Sequence, residues 1–361
     1  MVTLTVRHAR GEYPVLIEPG AVGRLAEVAA ERLAGRRLIL VTDENVAPRL
    51  EAWGCPAGLA ERRFVLPPGE GTKTRERWAT LTDALLAAGF GRDSAIVAVG
   101  GGVVGDLAGF VAATYLRGIP LLLVPTTLLA MLDASVGGKV GVDTPRGKNL
   151  VGAFHPPEAV VADPGVLADL PEREYRMGLA EAVKHGVIAD AAYFEWMERE
   201  APRLLQRRPA TLAHLVRRSV EIKAEVVSVD ERESGRRATL NAGHTVAHAL
   251  EQVSGFSLPH GEAVGLGLLV ESRLAEAEGW CRPGAAARIR ALLTVLGLPT
   301  RLDPAWRADR LVEAMGRDKK NRAGAIRIAP PVELGRSEAR AGEWTVAVPP
   351  EAMLAALAAT A

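Results

Sequence analysis

The sequence predicts an α/β protein in which a parallel sheet with helices is followed by an all-α region. Short apolar runs alternate with amphipathic stretches through the first half of the chain, which is typical of strands joined by crossover helices. After Pro171 the strand signals stop and the apolar residues recur with helical spacing. The composition shift near residue 170 therefore predicts two domains, 1–170 and 171–361.

In the first domain, glycines and prolines separate the elements. Gly11 turns an opening hairpin, Gly35 and Gly89 end helices, and Pro145–Gly147 turns a second small hairpin. The predicted strands are 2–6, 13–17, 38–42, 62–66, 95–99, 121–124, 140–143, 148–151 and 160–162, and the predicted helices are 20–34, 75–88, 103–115 and 126–135.

In the second domain, amphipathic periodicity predicts a series of helices with one late hairpin. The predicted helices are 172–189, 191–200, 210–232, 244–254, 261–278, 284–296, 307–317 and 350–360, and the hairpin pairs 326–328 with 344–348.

Charge and cysteine content narrow the function classes. The net charge is +1, from 44 basic and 43 acidic residues without a block of one sign, so we expect neither nucleic acid nor a membrane surface as a partner. Cys55 and Cys281 lie far apart in unrelated contexts, which supports neither a disulfide framework nor a CxxC metal site. The start of the chain lacks a signal-peptide core, and an 18-residue apolar run is missing, so we expect a cytoplasmic protein.

Lysine and asparagine are scarce, and their positions mark candidate sites. Only seven of the 44 basic residues are lysine, and the chain has four asparagines. Because arginine serves equally well on a solvated surface, we expect lysine mainly where a compact ammonium group is needed. The scarce residues cluster: Lys148 adjoins Asn149, Lys319 and Lys320 adjoin Asn321, and Asn241 lies three residues before His244.

A glycine motif follows the apolar run 95–99. Gly100 to Gly105 satisfy the spacing G-x-G-x-x-G between a predicted strand and a predicted helix, the context in which glycines let the backbone and a helix N-terminus bind a pyrophosphate. The ribose-binding acid expected about 20 residues later is absent, since Pro125 stands there. Asp43 precedes the motif instead, at the end of the strand 38–42. The motif therefore predicts dinucleotide binding on a Rossmann-like sheet of unusual topology.

The helical half contains candidate metal ligands. Glu181 shares a helix face with Lys184. His244 and His248 lie one helical turn apart. His260 lies two residues before Glu262. Two histidines and a carboxylate are the usual catalytic zinc set. Spacing alone favours His244 with His248 as the histidine pair and leaves the full ligand set open.

Six blocks of the chain resemble the 3-dehydroquinate synthase family of sugar phosphate cyclases. The resemblance covers about residues 38 to 330 and is carried by GGGVVGDLAGFVAATYLRGIP, PTTLLAMLDASVGGKVGVDTPRGKNLVGAFHPP, GLAEAVKHGVI, LNAGHTVAHALE, LPHGEAVGLG and RDKKN. It implies a dehydroquinate synthase-like fold with the active site between a Rossmann-like domain and an α-helical domain. It also implies one divalent metal, zinc or cobalt, held by Glu181, His244 and His260, which makes His248 a substrate-side residue.

The resemblance further implies the residues that contact NAD and the sugar phosphate substrate. NAD contacts would come from segment 166–169 and from Asp43, Asn45, Glu70, Lys73, Gly101, Gly102, Val103, Asp106, Thr126, Thr127, Lys139 and Lys148. Substrate and catalytic contacts would come from Arg117, Asp133, Lys139, Asn149, Lys184, Lys223, Arg237, Asn241, His248, Lys319 and Lys320. Asp169 departs from the small hydroxyl residue usual in the family, which leaves the role of its segment open.

The implied activity is that of a carbon–oxygen lyase in the shikimate pathway of aromatic amino acid biosynthesis. It converts 3-deoxy-D-arabino-heptulosonate 7-phosphate to 3-dehydroquinate and phosphate through transient oxidation at C5, phosphate elimination, re-reduction and intramolecular aldol closure. Family members are commonly homodimers. The alternatives are another sugar phosphate cyclase, a metal- and NAD-dependent polyol or glycerol-phosphate dehydrogenase, and a dinucleotide-sensing binding module that has no need of the metal ligands.

Overall fold

A computed structural model of the chain describes residues 2–317 and 325–361. It divides into two compact units: residues 1–171 with 212–224, and residues 172–211 with 225–361. Among the described residues, none of the helices is both long and apolar enough to cross a bilayer.

The first unit is built on a seven-stranded sheet. Its strands are β1 (Val2–His8), β2 (Gly11–Ile17), β3 (Arg37–Asp43), β4 (Arg62–Leu66), β5 (Ser94–Gly100), β6 (Leu121–Pro125) and, after the small hairpin, β9 (Ala159–Ala162). The order is β1-β2-β9-β6-β5-β3-β4. All neighbours are parallel except β1, which pairs antiparallel with β2. The expected parallel sheet thus carries one antiparallel edge strand. The turn lies at Ala9 and Arg10, with Gly11 already paired in β2, and so short a turn can join only antiparallel strands.

Helices α1 (Leu25–Arg32), α2 (Arg75–Ala87) and α3 (Gly102–Thr114) connect these strands, and α3 packs against β5 and β6. Every residue of β5 and of β6 is buried, as expected for central strands covered on both faces. The small hairpin consists of β7 (Lys139–Thr144) and β8 (Gly147–Phe154). The helix expected at 126–135 contains a π-helical segment, Ala130–Ala134.

The second unit is helical. Its helices are α4 (Glu172–Ala189), α5 (Ala191–Leu205), part of α6 (Pro209–Val229), α7 (His244–Val253), α8 (His260–Ala277), α9 (Ala285–Val295), α10 (Ala308–Gly316) and α11 (Pro350–Ala358). A two-stranded ribbon, β10 (Ile326–Ile328) with β11 (Val346–Val348), completes it. Residues from α7, α8, α10, α11 and the ribbon share one buried apolar core.

Glycines allow α8 to lie very close to its neighbours. A Cβ atom at Gly267 of α8 would meet the carbonyl oxygen of Gly243 at 2.0 Å, and a Cβ atom at Gly261 would meet the carbonyl oxygen of Met177 at 2.3 Å. These are backbone atoms, which cannot rotate away as a flexible side chain can. The helices can therefore approach this closely only with glycine at both positions.

We expect Gly267→Ala to destabilise the protein by about 1–3 kcal/mol, because the added methyl group overpacks the contact with Gly243. Gly265→Ala on the same helix is the matched control, since its nearest neighbour would be a Leu293 methyl group at an ordinary 3.5 Å. Replacing a helical glycine without a clash gains up to about 1 kcal/mol. Urea unfolding of both variants tests this, and equal stability of the two would contradict the packing argument.

Candidate active site

Glu181, His244 and His260 form the candidate metal centre of the second unit. Their ligand atoms all lie within 4.8 Å of one another. The Nε2 atoms of His244 and His260 are each 3.6 Å from the same oxygen, Oε1 of Glu181. His248 is outside this group, with its ring 5.7 Å from that of His244 in an edge-on arrangement. The geometry thus groups His244 with His260 rather than with the histidine one turn away.

This donor set fits a divalent transition metal. Two imidazole nitrogens and a carboxylate are the usual ligands of catalytic zinc, and donors bound tetrahedrally at about 2.1 Å lie about 3.4 Å apart. The measured 3.6 Å separations are close to that value. His244 Nδ1 is 3.2 Å from the carbonyl oxygen of Ala242, so its Nε2 is the nitrogen directed at Glu181. These residues have the chemistry and spacing to hold zinc or cobalt, and the ligand assignment stays a prediction.

A buried ammonium group adjoins the metal centre. Lys184 and Glu181 are each 1% exposed, and Lys184 Nζ forms an ion pair with Glu181 Oε2. Burial alone would raise the pKa of Glu181, but Lys184 and the two histidines outweigh burial and hold this pKa well below its usual value. Burial likewise opposes the charge on His260, yet Glu181 and Glu251 raise the pKa of that imidazole to about 9.

One acidic residue organises the loop that carries Arg237. The Asp230 carboxylate accepts hydrogen bonds from the backbone N–H groups of Ser234, Gly235 and Arg237, at 2.7–2.9 Å. Arg237 is 2% exposed. The side chain of Asn241 donates a hydrogen bond to Glu233. No local pattern in the sequence marks Asp230 or Glu233, because acidic residues, unlike lysine, are abundant in this chain.

In the first unit, Lys73 lies among three carboxylates. Its Nζ atom is 2.8 Å from Glu70, 3.2 Å from Asp106 and 3.8 Å from Asp143. Burial alone would lower the pKa of Lys73, but Asp106 and Glu70 raise it above the usual value. Burial raises the pKa of Asp106 to about 6, against the lowering effect of Lys73.

Asp143, which no local pattern in the sequence singles out, connects Lys73 to the hairpin. Its backbone N–H donates to the carbonyl oxygen of Lys73 at 2.7 Å, and its carboxylate accepts from the backbone N–H of Asn149 at 2.8 Å. Asn149 has a φ of 55°, a conformation that is uncommon for residues other than glycine. Asp143 therefore helps to hold Asn149 in its left-handed conformation.

Two further candidate substrate residues pair within the first unit. Lys223 Nζ is 2.6 Å from Asp133 Oδ1. Arg117 is exposed and has a φ of 69°. Left-handed backbone at Arg117 and Asn149 is a form of strain that concentrates at functional sites. Lys319 and Lys320 lie outside the described residues.

The candidate dinucleotide residues lie along the carboxyl ends of neighbouring strands. Asp43 ends β3, and Gly100 ends β5, which pairs with β3. Gly101 is the N-cap of α3 and makes no side-chain cap hydrogen bond. The N–H groups of a first helical turn have no intrahelical acceptor, and such groups bind phosphate at other helix N-termini. A pocket opens here, lined by residues that include Gly101, Asp106 and Lys139. The remaining predicted NAD residues lie in the same unit, in the first turn of α3 and in loops, turns, short 3-10 helices and a strand: Asn45, Glu70, Gly102, Val103, Thr126, Thr127, Lys148 and segment 166–169.

Asp169, which differs from the small hydroxyl residue usual in the family, forms a side-chain hydrogen bond. Its carboxylate accepts a hydrogen bond from the Trp53 indole N–H at 2.8 Å. An acid at this position therefore joins segment 166–169 to the loop after β3, a contact that no local pattern predicts.

The raised pKa of Asp106 predicts how the free energy of unfolding changes with pH. Because its pKa in the folded chain, about 6, exceeds the unfolded value near 3.9, the unfolded chain binds fewer protons than the folded one between these values. The unfolding free energy should therefore fall as pH rises from about 4 to about 6. We expect the metal- and NAD-free wild type to lose roughly 2 kcal/mol more than Asp106→Asn over this range.

Urea unfolding at several pH values measures this difference. Asp83→Asn on the exposed face of α2 is the control and should follow the wild type. Parallel pH profiles of Asp106→Asn and the wild type would contradict the raised pKa.

Comparison with known proteins identifies the family. Residues 63–177 match the model of the 3-dehydroquinate synthase N-terminal domain, and residues 178–321 match that of its C-terminal domain. The 3-dehydroquinate synthase of Halorhodospira halophila is 48% identical over 329 residues, which cover 91% of this chain and 92% of that protein.

Solved structures agree with the fold. The 2-epi-5-epi-valiolone synthase of Streptomyces hygroscopicus, solved with NAD⁺ and Zn²⁺, has a TM-score of 0.84 at 30% identity, covering 100% of this chain and 99% of that one. A probable glycerol dehydrogenase of Sinorhizobium meliloti shares the fold alone, with a TM-score of 0.63 at 18% identity over 96% of each chain. The expected fold, a Rossmann-like unit with a helical unit, is confirmed. With both family models matched in succession, and 48% identity to a relative over 91% of the chain, the chain belongs to the 3-dehydroquinate synthase family.

Proposed function

We propose that this protein is a 3-dehydroquinate synthase, a carbon–oxygen lyase that converts 3-deoxy-D-arabino-heptulosonate 7-phosphate to 3-dehydroquinate and phosphate. The observation that carries the proposal is the cluster of Glu181, His244 and His260, in which the buried Glu181 pairs with the buried Lys184, in a chain of this family. NAD and one zinc or cobalt ion are the proposed cofactors. When bound, NAD supplies reversible oxidation at C5, and the metal supplies Lewis acidity toward the substrate hydroxyl groups.

Glu181, His244 and His260 would hold the metal, and Lys184 would stabilise negative charge that develops on the substrate. The ammonium group of Lys184 is already desolvated, so its interaction with an anionic oxygen is stronger than it would be in water. It is held in place by its ion pair with Glu181. His248 lies beside His244 and is the proposed proton carrier, since imidazole exchanges protons near neutral pH.

The remaining candidate residues suit a substrate with a phosphate and a carboxylate. Arginine, lysine and asparagine donors bind such groups, and arginine does so through two parallel hydrogen bonds. Arg237 or Lys223 is the proposed carboxylate partner. The proposed phosphate and hydroxyl contacts are Arg117, Asp133, Lys139, Asn149, Asn241, Lys319 and Lys320.

The proposed NAD contacts lie at the carboxyl ends of the parallel strands, where open α/β sheets bind their ligands. The uncapped N-terminus of α3 would accept the pyrophosphate, and Asp43 would accept a ribose hydroxyl hydrogen bond. Lys73 would present a fully charged ammonium group, because its neighbouring carboxylates raise its pKa.

We also propose, on the family resemblance, that the protein is cytoplasmic and forms a homodimer. Analytical ultracentrifugation would test the dimer.

The first test follows phosphate release and NADH absorbance together, with the heptulosonate phosphate, catalytic NAD⁺ and Zn²⁺ or Co²⁺. We expect phosphate release far in excess of NAD⁺, without NADH accumulation and abolished by a chelator. NADH that rises one-for-one with substrate would instead identify a dehydrogenase. An inactive but folded, metal-loaded protein would direct the search to the substrate of another sugar phosphate cyclase.

Lys184→Ala should lower turnover at least about 100-fold, because it removes a preorganised cation. NAD binding should stay within about twofold of wild type, since the proposed NAD residues lie in the first unit and Lys184 lies in the second. Arg173→Ala is the control on the same helix, α4; its side chain is 62% exposed and pairs with Glu262. Metal content is measured in each variant. Wild-type turnover in Lys184→Ala would remove this residue from the mechanism.

A further inference from the structure

Both histidines of the candidate metal centre have their second ring nitrogen next to an acceptor. His244 Nδ1 faces the Ala242 carbonyl oxygen at 3.2 Å. His260 Nδ1 faces Oε1 of Glu251 at 3.5 Å, while its Nε2 faces Glu181. The two imidazoles therefore present the same nitrogen, Nε2, to Glu181. The acceptor at His260 is a side-chain carboxylate, whereas Ala242 offers His244 a backbone carbonyl oxygen.

Glu251 lies in an unusual place for a charged residue. It is 4% exposed, on the last turns of α7 between fully buried Leu250 and the end of the helix. A buried carboxylate costs free energy unless a hydrogen-bond donor or cation compensates it. The N–H group at Nδ1 of His260 is such a donor, on the neighbouring helix α8.

The helix geometry explains how this contact arises. Glu251 follows His244 at spacing i, i+7, so both side chains project from the same face of α7. That face packs against α8, which begins at His260. One face of α7 thus supplies a candidate metal ligand and, two turns later, a carboxylate behind the second histidine ligand.

We propose that Glu251 is a positioning residue of the metal centre, which holds the His260 ring with its proton on Nδ1 and Nε2 free to bind the metal. The inference rests on the proposed function, because it assumes that Glu181, His244 and His260 bind a metal. A carboxylate behind a histidine ligand fixes the ring orientation and the tautomer and makes the ligating nitrogen more basic. Loss of such a partner typically weakens metal binding 10- to 100-fold.

The test measures Co²⁺ affinity and the Co²⁺ d–d spectrum of the chelator-stripped protein. We expect Glu251→Ala to bind Co²⁺ about 10- to 100-fold more weakly than wild type, with an altered d–d band. Glu251→Gln should lose less, because its amide oxygen can still accept the Nδ1 hydrogen bond without the negative charge. Gln252→Ala, an exposed neighbour on α7, is the control and should bind Co²⁺ as wild type does.

The outcomes separate this inference from the proposed function. Wild-type Co²⁺ affinity and spectrum in both Glu251 variants would overturn the role of Glu251 and leave the metal centre intact. Failure of the wild type itself to bind Co²⁺ would overturn the inference together with the metal assignment. If Glu251→Ala does not fold, as judged by circular dichroism, the Gln variant decides: unchanged affinity and spectrum would overturn the inference, and a weaker affinity with a shifted band would support it.

Discussion

The close approach of three helices in the second unit is the constraint on which the candidate metal centre depends. Glu181 is on α4, His244 begins α7 and His260 begins α8. Gly261 packs on the backbone of α4 one turn before Glu181, and Gly267 packs on the residue just before His244. Any side chain at these glycines would push the helices apart and separate donors that now lie within 4.8 Å.

Buried charge is arranged around that helix contact. The Glu271 carboxylate of α8 accepts hydrogen bonds from the backbone N–H groups of Gly243 at 2.8 Å and Val246 at 3.5 Å. It therefore caps the N-terminus of α7, where negative charge is stabilised by the helix dipole. Lys184 pairs with Glu181, and Glu251 lies behind His260. Such groups stabilise little in themselves because their desolvation is costly, but they hold the donors in one arrangement.

In the first unit, the parallel sheet brings residues from separate segments together at one edge. Because β3, β5 and β6 are parallel neighbours, the segments that follow them all emerge at the same edge. Lys73 then joins Glu70, Asp106 and Asp143 from three separate segments. Asp143 extends this cluster to Asn149 through a backbone hydrogen bond. A single buried ammonium group thus connects the turn that contains Glu70 with helix α3 and strand β7.

The sequence by itself determined the order and type of most elements, since apolar periodicity and glycine or proline punctuation are local properties. The strand Arg62–Leu66 and the helix Glu172–Ala189 have the bounds expected from the pattern alone. The scarcity of lysine indicated Lys73 and Lys184 as candidate site residues, because a lysine is expected mainly where a compact ammonium group is needed. Spacing alone favoured His248 as the partner of His244, whereas the structure groups His244 with His260. A ligand contributed by another helix leaves no mark in the local periodicity of its partner.

Only the tertiary structure decided which groups meet. The contacts of Glu251 with His260, Asp143 with Asn149, and Glu271 with Gly243 join residues whose side chains or backbone carry no distinctive local pattern. Glutamate and aspartate are abundant in this chain, so scarcity could not mark individual acids as it marked individual lysines. Their roles arise from burial and from the direction in which neighbouring helices and strands present them, and these are properties of packing.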